Sequence, residues 1–144
     1  MQIRIALTRA VFFALMSGMV SVAATPQHAD DYATHLVRLI NQYRQQHHLP
    51  PLRPDARLTS LAQAHVLAMA QEQQLSHDGF DTRFKRAHRT RCVENVGWNY
   101  PRAEDQLAGW RASADHNENL LNAQVHSVGI AVFQGYVTYF ACSA

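Results

Sequence analysis

Several kinds of protein are excluded by what this chain has little of. Two cysteines in 144 residues are too few for a disulfide-dense scaffold, and six glycines with five prolines rule out a collagen-like or low-complexity tract. Charged residues make up only 17%, but 47% of the chain is hydrophobic, enough apolar surface for a core and too much for a disordered polar chain. The length fits one domain and excludes a second. No glycine loop that cradles phosphate, and no HExxH, CxxC or GxSxG, occurs in the sequence. The usual local signatures of nucleotide, metalloprotease, redox and serine-hydrolase sites are therefore missing.

The charge that is present is unevenly placed. Arg4 and Arg9 precede or flank an apolar run from Ala10 to Val20 that is too short to span a bilayer, and the small residues Ser21-Val22-Ala23-Ala24 follow it. This pattern predicts an export signal cut after Ala24, the alternative being a buried N-terminal helix. Removing 24 of 144 residues leaves 120, and the loss of two arginines leaves 11 basic against 11 acidic residues. The exported domain, residues 25–144, is formally neutral, which argues against nucleic acid as a partner. The expected location is periplasmic or secreted, with no lipid anchor because no cysteine follows the cut, and the expected state is a monomer. Cys92 and Cys142 both lie in the exported part, where an oxidising compartment favours a disulfide; the alternative is two buried thiols.

From Asp30 the spacing of Tyr32, Leu36, Leu39, Ile40 and Tyr43 predicts an amphipathic helix, which the prolines at 50, 51 and 54 end. A second helix starts near Asp55 and runs to about Leu75. His65 lies in its apolar stripe, where a lone histidine is expected to be a hydrogen-bonded core residue, and it is left out of the site. Asp81 to His88 reads as a short third helix, Cys92 to Asn99 as a strand carrying Glu94, and the residues after Pro101 as a fourth helix with Leu107 and Trp110 inward. Asp115 and Glu118 form an aspartate capping box for a brief helix ending near Leu121. Val128, Ile130 and Val132 alternate, Gln134-Gly135 turns, and Tyr136 to Cys142 returns, giving a terminal hairpin. Helices followed by a small antiparallel sheet predict an α+β fold.

Arg83, Lys85, Arg86, Arg89 and Arg91 form the one dense basic run. Its default reading is a solvated loop face; its functional reading is a surface for phosphates, lipid headgroups or acidic glycans. The residues that carry chemistry stand at segment ends: His77, Glu94, and Ser113 with His116. Trp98, Tyr100 and Trp110 flank them in sequence, with core packing as the default and a ligand-facing role as the alternative.

The residues around these positions are informative as an ordered set. Ser76-His77, then Glu94-Asn95-Val96-Gly97, then Trp110 to Leu121 with Ser113, His116 and Asn119, then the terminal hairpin, resemble the CAP superfamily of cysteine-rich secretory, venom-antigen and pathogenesis-related proteins, and most of all its short bacterial branch. The resemblance covers about Tyr32 to Cys142. It implies an α-β-α sandwich, a small antiparallel sheet covered by helices on both faces, with a cleft lined by a His/Glu group. His77 matches the first family histidine, Glu94 the first glutamate and His116 the second histidine. Ser113 stands where animal members have a second glutamate, and Cys92-Val93 stand in the stretch leading to the family's usual glycine before Glu-Asn. The family is associated with sterol and lipid binding and with defence or virulence, without one shared activity, so the resemblance bears on fold more than on function.

Two imidazoles and a carboxylate facing one cleft can hold zinc or another divalent metal, or act as an acid/base pair, or simply satisfy one another's hydrogen bonds. The first functional expectation is an exported binding or envelope-interaction module whose cleft takes a small apolar or extended ligand, with lipid, glycan or another envelope component as partner. The alternative is a metal-assisted hydrolase of peptide, glycan or nucleic acid in which Glu94 is the base.

Overall fold

A computed structural model of the chain describes residues 27–144, with side chains from residue 29. The proposed export signal lies outside the described residues. Five helices and four strands follow in the order α1 (Gln27–Gln46), β1 (Arg53–Pro54), α2 (Ala56–Glu72), α3 (Phe80–Ala87), β2 (Cys92–Trp98), α4 (Ala103–Ala112), α5 (Ala114–Leu120), β3 (Ser127–Phe133) and β4 (Tyr136–Cys142). The sheet order is β1-β3-β4-β2, antiparallel except for β1 beside β3. It is the expected α-β-α sandwich.

Period-two alternation in β2, β3 and β4 sends side chains to two separate cores. Val128, Ile130, Val137 and Tyr139 pack with Leu36, Ile40, Leu107 and Trp110 of α1 and α4 on one face. Val96, Ala131, Tyr136 and Phe140 pack with Leu58, Leu61, Val66 and Met69 of α2 on the other. Helix α2 starts where expected, and Asp55 caps it, its Oδ1 accepting from the Arg57 and Leu58 amides at 2.8 and 3.1 Å. The hairpin turn has positive φ at both Gln134 (48°) and Gly135 (81°), the backbone that matches strand twist.

Three local expectations are corrected. Helix α1 begins at Gln27, three residues before the expected start at Asp30, which sits in its first turn. The cap of α5 is Ser113, with no side-chain bond, and Asp115 lies inside the first turn, so the Asp115/Glu118 capping box does not form. The proline segment contains a short strand, β1, which the prolines had concealed. Pro54 is tolerated there because β1 is an edge strand and pairs for only two residues.

Gly129 is where α2 meets the sheet most closely: a Cβ there would collide with the main chain of Leu58 and Thr59. Gly129→Ala is expected to lift α2 from β3 and cost about 1–3 kcal/mol in urea unfolding. An unchanged midpoint would show that α2 is not seated on this backbone.

Candidate functional site

Glu94 points from β2 toward α2 and α3, and its side chain is only 1% exposed. Arg83 of α3 clamps it, Nε donating to Oε2 at 2.7 Å and Nη2 to Oε1 at 2.8 Å. The same guanidinium donates to the Asp78 carbonyl at 2.7 Å, fixing the loop that carries His77. His77 meets Oε1 through Nδ1 at 3.0 Å, and since a carboxylate only accepts, Nδ1 carries the proton. Its Nε2 is left as the free nitrogen of a side chain that is 51% exposed. Glu94 is thus a buried anchor that orients His77, and His77 is what a ligand would meet.

His65 lies on the inner side of this pair. Its Nε2 donates to the Ser76 carbonyl at 2.9 Å and stands 3.7 Å from Glu94 Oε1. Burial holds its pKa below the ordinary histidine range, against the pull of Glu94, so it is neutral. Burial alone would push the Glu94 carboxyl up, but hydrogen bonds from His77 and Arg83 and the charge of Arg83 hold it below the usual range.

His116 reaches the site from α5, on the other side of β2. The Asn95 side-chain amide donates to the His116 carbonyl at 2.9 Å, and Asn119 Nδ2 donates to the Glu94 carbonyl at 3.1 Å and to Asn95 Oδ1 at 2.9 Å. These bonds tie α5 to the strand that holds Glu94. Burial, and next the charge of His77, keep His116 below the ordinary histidine range. Trp110 Nε1 donates to the Val96 carbonyl at 2.9 Å, so side chains of α4 and α5 cap outward carbonyls of an edge strand.

Not all the expected residues converge. Trp110 is a core residue at 2% exposure and flanks no ligand site. Trp98 and Tyr100 are exposed, at 53% and 38%, but Trp98 is four residues along β2 from Glu94, about 13 Å at strand rise. Trp98 stands by the hairpin turn, packed on Tyr136 at 6.0 Å between rings, and the Tyr100 ring lies against Gly109 of α4. Ser113 is half-buried between α4 and α5, and its hydroxyl bonds to no base among the described residues.

The three-ligand metal reading does not fit. Both Glu94 oxygens face a guanidinium, so a cation there would meet a resident positive charge, and no cluster of three or more His, Cys, Asp or Glu suited to a metal occurs among the described residues. Two imidazoles remain as donors, with Glu94 as the outer carboxylate that fixes the His77 tautomer.

Sequence reasoning passed over Arg83, which it placed in a solvated loop face, and His65, which it left out of the site. Arg83 is buried because α3 turns it inward, and the signal was available: it shares a helix face with Phe80 three residues before it and Ala87 four after it, both apolar and packed on the core. A cavity of about 260 Å³ between α2 and α3 abuts this inner side and is lined by His65 and Arg83.

The sequence model of the cysteine-rich secretory protein family, CAP, matches residues 37–143. The chain belongs to the CAP family. Among solved structures, an extracellular protein of Bacillus anthracis containing an SCP domain is 26% identical with a TM-score of 0.80, covering 86% of this chain and 45% of its own. A cysteine-rich secretory protein of Staphylococcus aureus is 18% identical with a TM-score of 0.77, covering 83% and 40%. An outer surface protein of Borrelia burgdorferi is 17% identical with a TM-score of 0.71, covering 78% and 92%. The chain therefore spans less than half the length of the first two. No curated protein sequence gives a significant match. Among the described residues of this CAP chain no helix is long and apolar enough to cross a membrane.

Proposed function

We propose that this CAP chain is an exported binding module whose ligand surface is centred on His77 and His116, at the edge strand β2. The observation that carries the reading is the Arg83-Glu94-His77 chain of bonds, which spends a buried ion pair on holding one solvent-facing imidazole in one tautomer. Such an investment in orientation exceeds what a surface histidine needs for folding. Export is supported by the basic-apolar N-terminal run, by the formed disulfide, and by relatives described as extracellular and outer-surface proteins. Residues 25–144 then form the exported unit. A ligand that touched both His77 and the exposed ring of Trp98 would have to be extended, over about 13 Å of strand.

The metal form of the proposal is two-coordinate from the protein, through His77 and His116, and a bound zinc would offer its open positions to a ligand oxygen. Zinc titration by calorimetry is expected to show micromolar binding that falls more than tenfold in both His77→Ala and His116→Ala. No uptake at micromolar zinc sinks the metal form and leaves the imidazole surface. The second reading, hydrolysis, is favoured by the 3.0 Å His77-Glu94 contact, since an imidazole oriented by a carboxylate is suited to general-base work. The base in that reading moves from Glu94, whose two oxygens are taken, to His77. Cleavage of a peptide or glycan library that His77→Ala leaves intact would reject it.

A further inference from the structure

The basic run from Arg83 to Arg91 divides in the folded chain. Arg83 is spent on Glu94, and Arg89 Nη2 bonds Asp55 Oδ2 at 3.0 Å. Lys85, Arg86 and Arg91 remain exposed, and so does Arg57 at the start of α2; none has an ion-pair partner among the described residues. Two of these four are gathered together: Arg57 and Arg86, with Ser60, Leu61 and His88, line a cavity of about 460 Å³ between α2 and α3. No carboxylate lines it. Asp55, two residues before Arg57, is already held by the amides of Arg57 and Leu58 and by Arg89.

His88 supplies an independent observation. It ends α3 in the left-handed conformation, φ 54°, where glycine is the residue without penalty. The chain keeps an imidazole on the cavity wall at a left-handed C-cap, as it keeps Gln73 at the C-cap of α2. His88 thus adds an imidazole to the two guanidinium groups of the lining.

We propose that this cavity binds a phosphate-bearing anion. Two guanidinium forks and an imidazole, with no acid among them, call for more than one negative charge, and phosphate oxygens fit the planar donors of arginine two at a time. A monocarboxylate would leave a guanidinium uncompensated. The phosphate can belong to a soluble molecule or to a lipid headgroup, and the two sources are separable.

The probes are inorganic pyrophosphate, followed by calorimetry, and phosphatidylcholine vesicles containing phosphatidic acid, followed by co-sedimentation. Pyrophosphate is expected to bind one per chain, with affinity falling about tenfold in Arg57→Ala and in Arg86→Ala. Arg91→Ala removes the same charge outside the cavity and is expected to change affinity less than about twofold at moderate salt. His88→Gly is expected to weaken binding while raising Tm, which a merely structural histidine would not do. Vesicle binding displaced by pyrophosphate assigns the phosphate to a headgroup, and pyrophosphate binding without vesicle binding assigns it to a soluble ligand. The proposal is overturned if pyrophosphate does not bind, if it leaves vesicle binding undisplaced, or if Arg91→Ala costs as much as Arg57→Ala, which would describe a diffuse basic face.

Discussion

Arg83→Ala is expected to destabilise the fold by about 3–5 kcal/mol at neutral pH, measured by urea unfolding, because it strands a carboxylate that has 1% of its side-chain surface in water. The truncation removes two charge-assisted bonds from Glu94 and two bonds to the carbonyls of Asp78 and His77. What remains near the carboxylate is His77 at 3.0 Å and His65 at 3.7 Å. Glu94→Gln in the same background removes the stranded charge and is expected to recover part of the loss, so the double variant should be more stable than Arg83→Ala alone. Equal stabilities for the two would mean that Glu94 is not an anion in the folded chain.

The same variant has a pH signature whose sign follows from the direction of the shifts. In the native protein the Glu94 pKa is below the ordinary value of 4.5, so its contribution is fully present above that value and is lost as pH falls through the folded value. His65 and His116 also lie below their ordinary value of 6.5, so both must take up protons at a cost as pH falls below it. Native stability should therefore begin to decline below pH 6.5 and decline further below 4.5. Without Arg83, burial becomes the dominant influence on Glu94 and lifts its pKa above the ordinary value, so the charged form is penalised and the penalty vanishes on acidification. The stability gap between the native and Arg83→Ala proteins is expected to narrow steadily from neutral pH toward pH 4. A gap independent of pH would place the loss in the Asp78 and His77 carbonyl bonds instead.

These expectations also mark what could and could not be read from the residues. Local rules placed the start of α2 near Asp55, the Gln134-Gly135 turn and the helix stripes, because each is decided by neighbours within a few positions. The motif order singled out Glu94 on β2, the His77 that bonds it and the His116 whose carbonyl Asn95 holds. It did not distinguish the buried member from the exposed one, and the cleft lined by Glu94 became a surface presented by His77. Arg44 shows the same limit: it reads as the basic end of an amphipathic helix, yet it is fully buried and donates to the carbonyls of Pro50, Leu120 and Asn122. Burial of a charged side chain depends on partners far away in the chain, here as many as 81 positions off at the Val125 carbonyl, and no periodicity encodes them. The neutral exported domain expected from the charge count likewise concealed a divided basic run, with Arg83 buried on Glu94, Arg89 paired to Asp55, and Arg86 left beside Arg57 at one cavity.

Removal of the Cys92–Cys142 bridge is the second large effect. The two residues face each other across β2 and β4 with Cα atoms 4.1 Å apart, and they close a sequence separation of 50. A loop of that length gives roughly 4 kcal/mol in the chain-entropy model. The strands are already paired in register from Cys92↔Cys142 to Trp98↔Tyr136, so the bridge adds little to native order and acts mainly by limiting the unfolded chain. Cys92→Ala with Cys142→Ala is therefore expected to lower Tm by on the order of 15 °C while leaving the native circular dichroism and the His77 environment unchanged. Dithiothreitol should reproduce the shift in the native protein and have no effect on the double variant. If the reduced protein instead loses the His77-Glu94 contact while still folded, seen as a changed His77 titration by NMR, the bridge is holding the β2 end in place two residues from Glu94, and its role extends from the unfolded chain to the site itself.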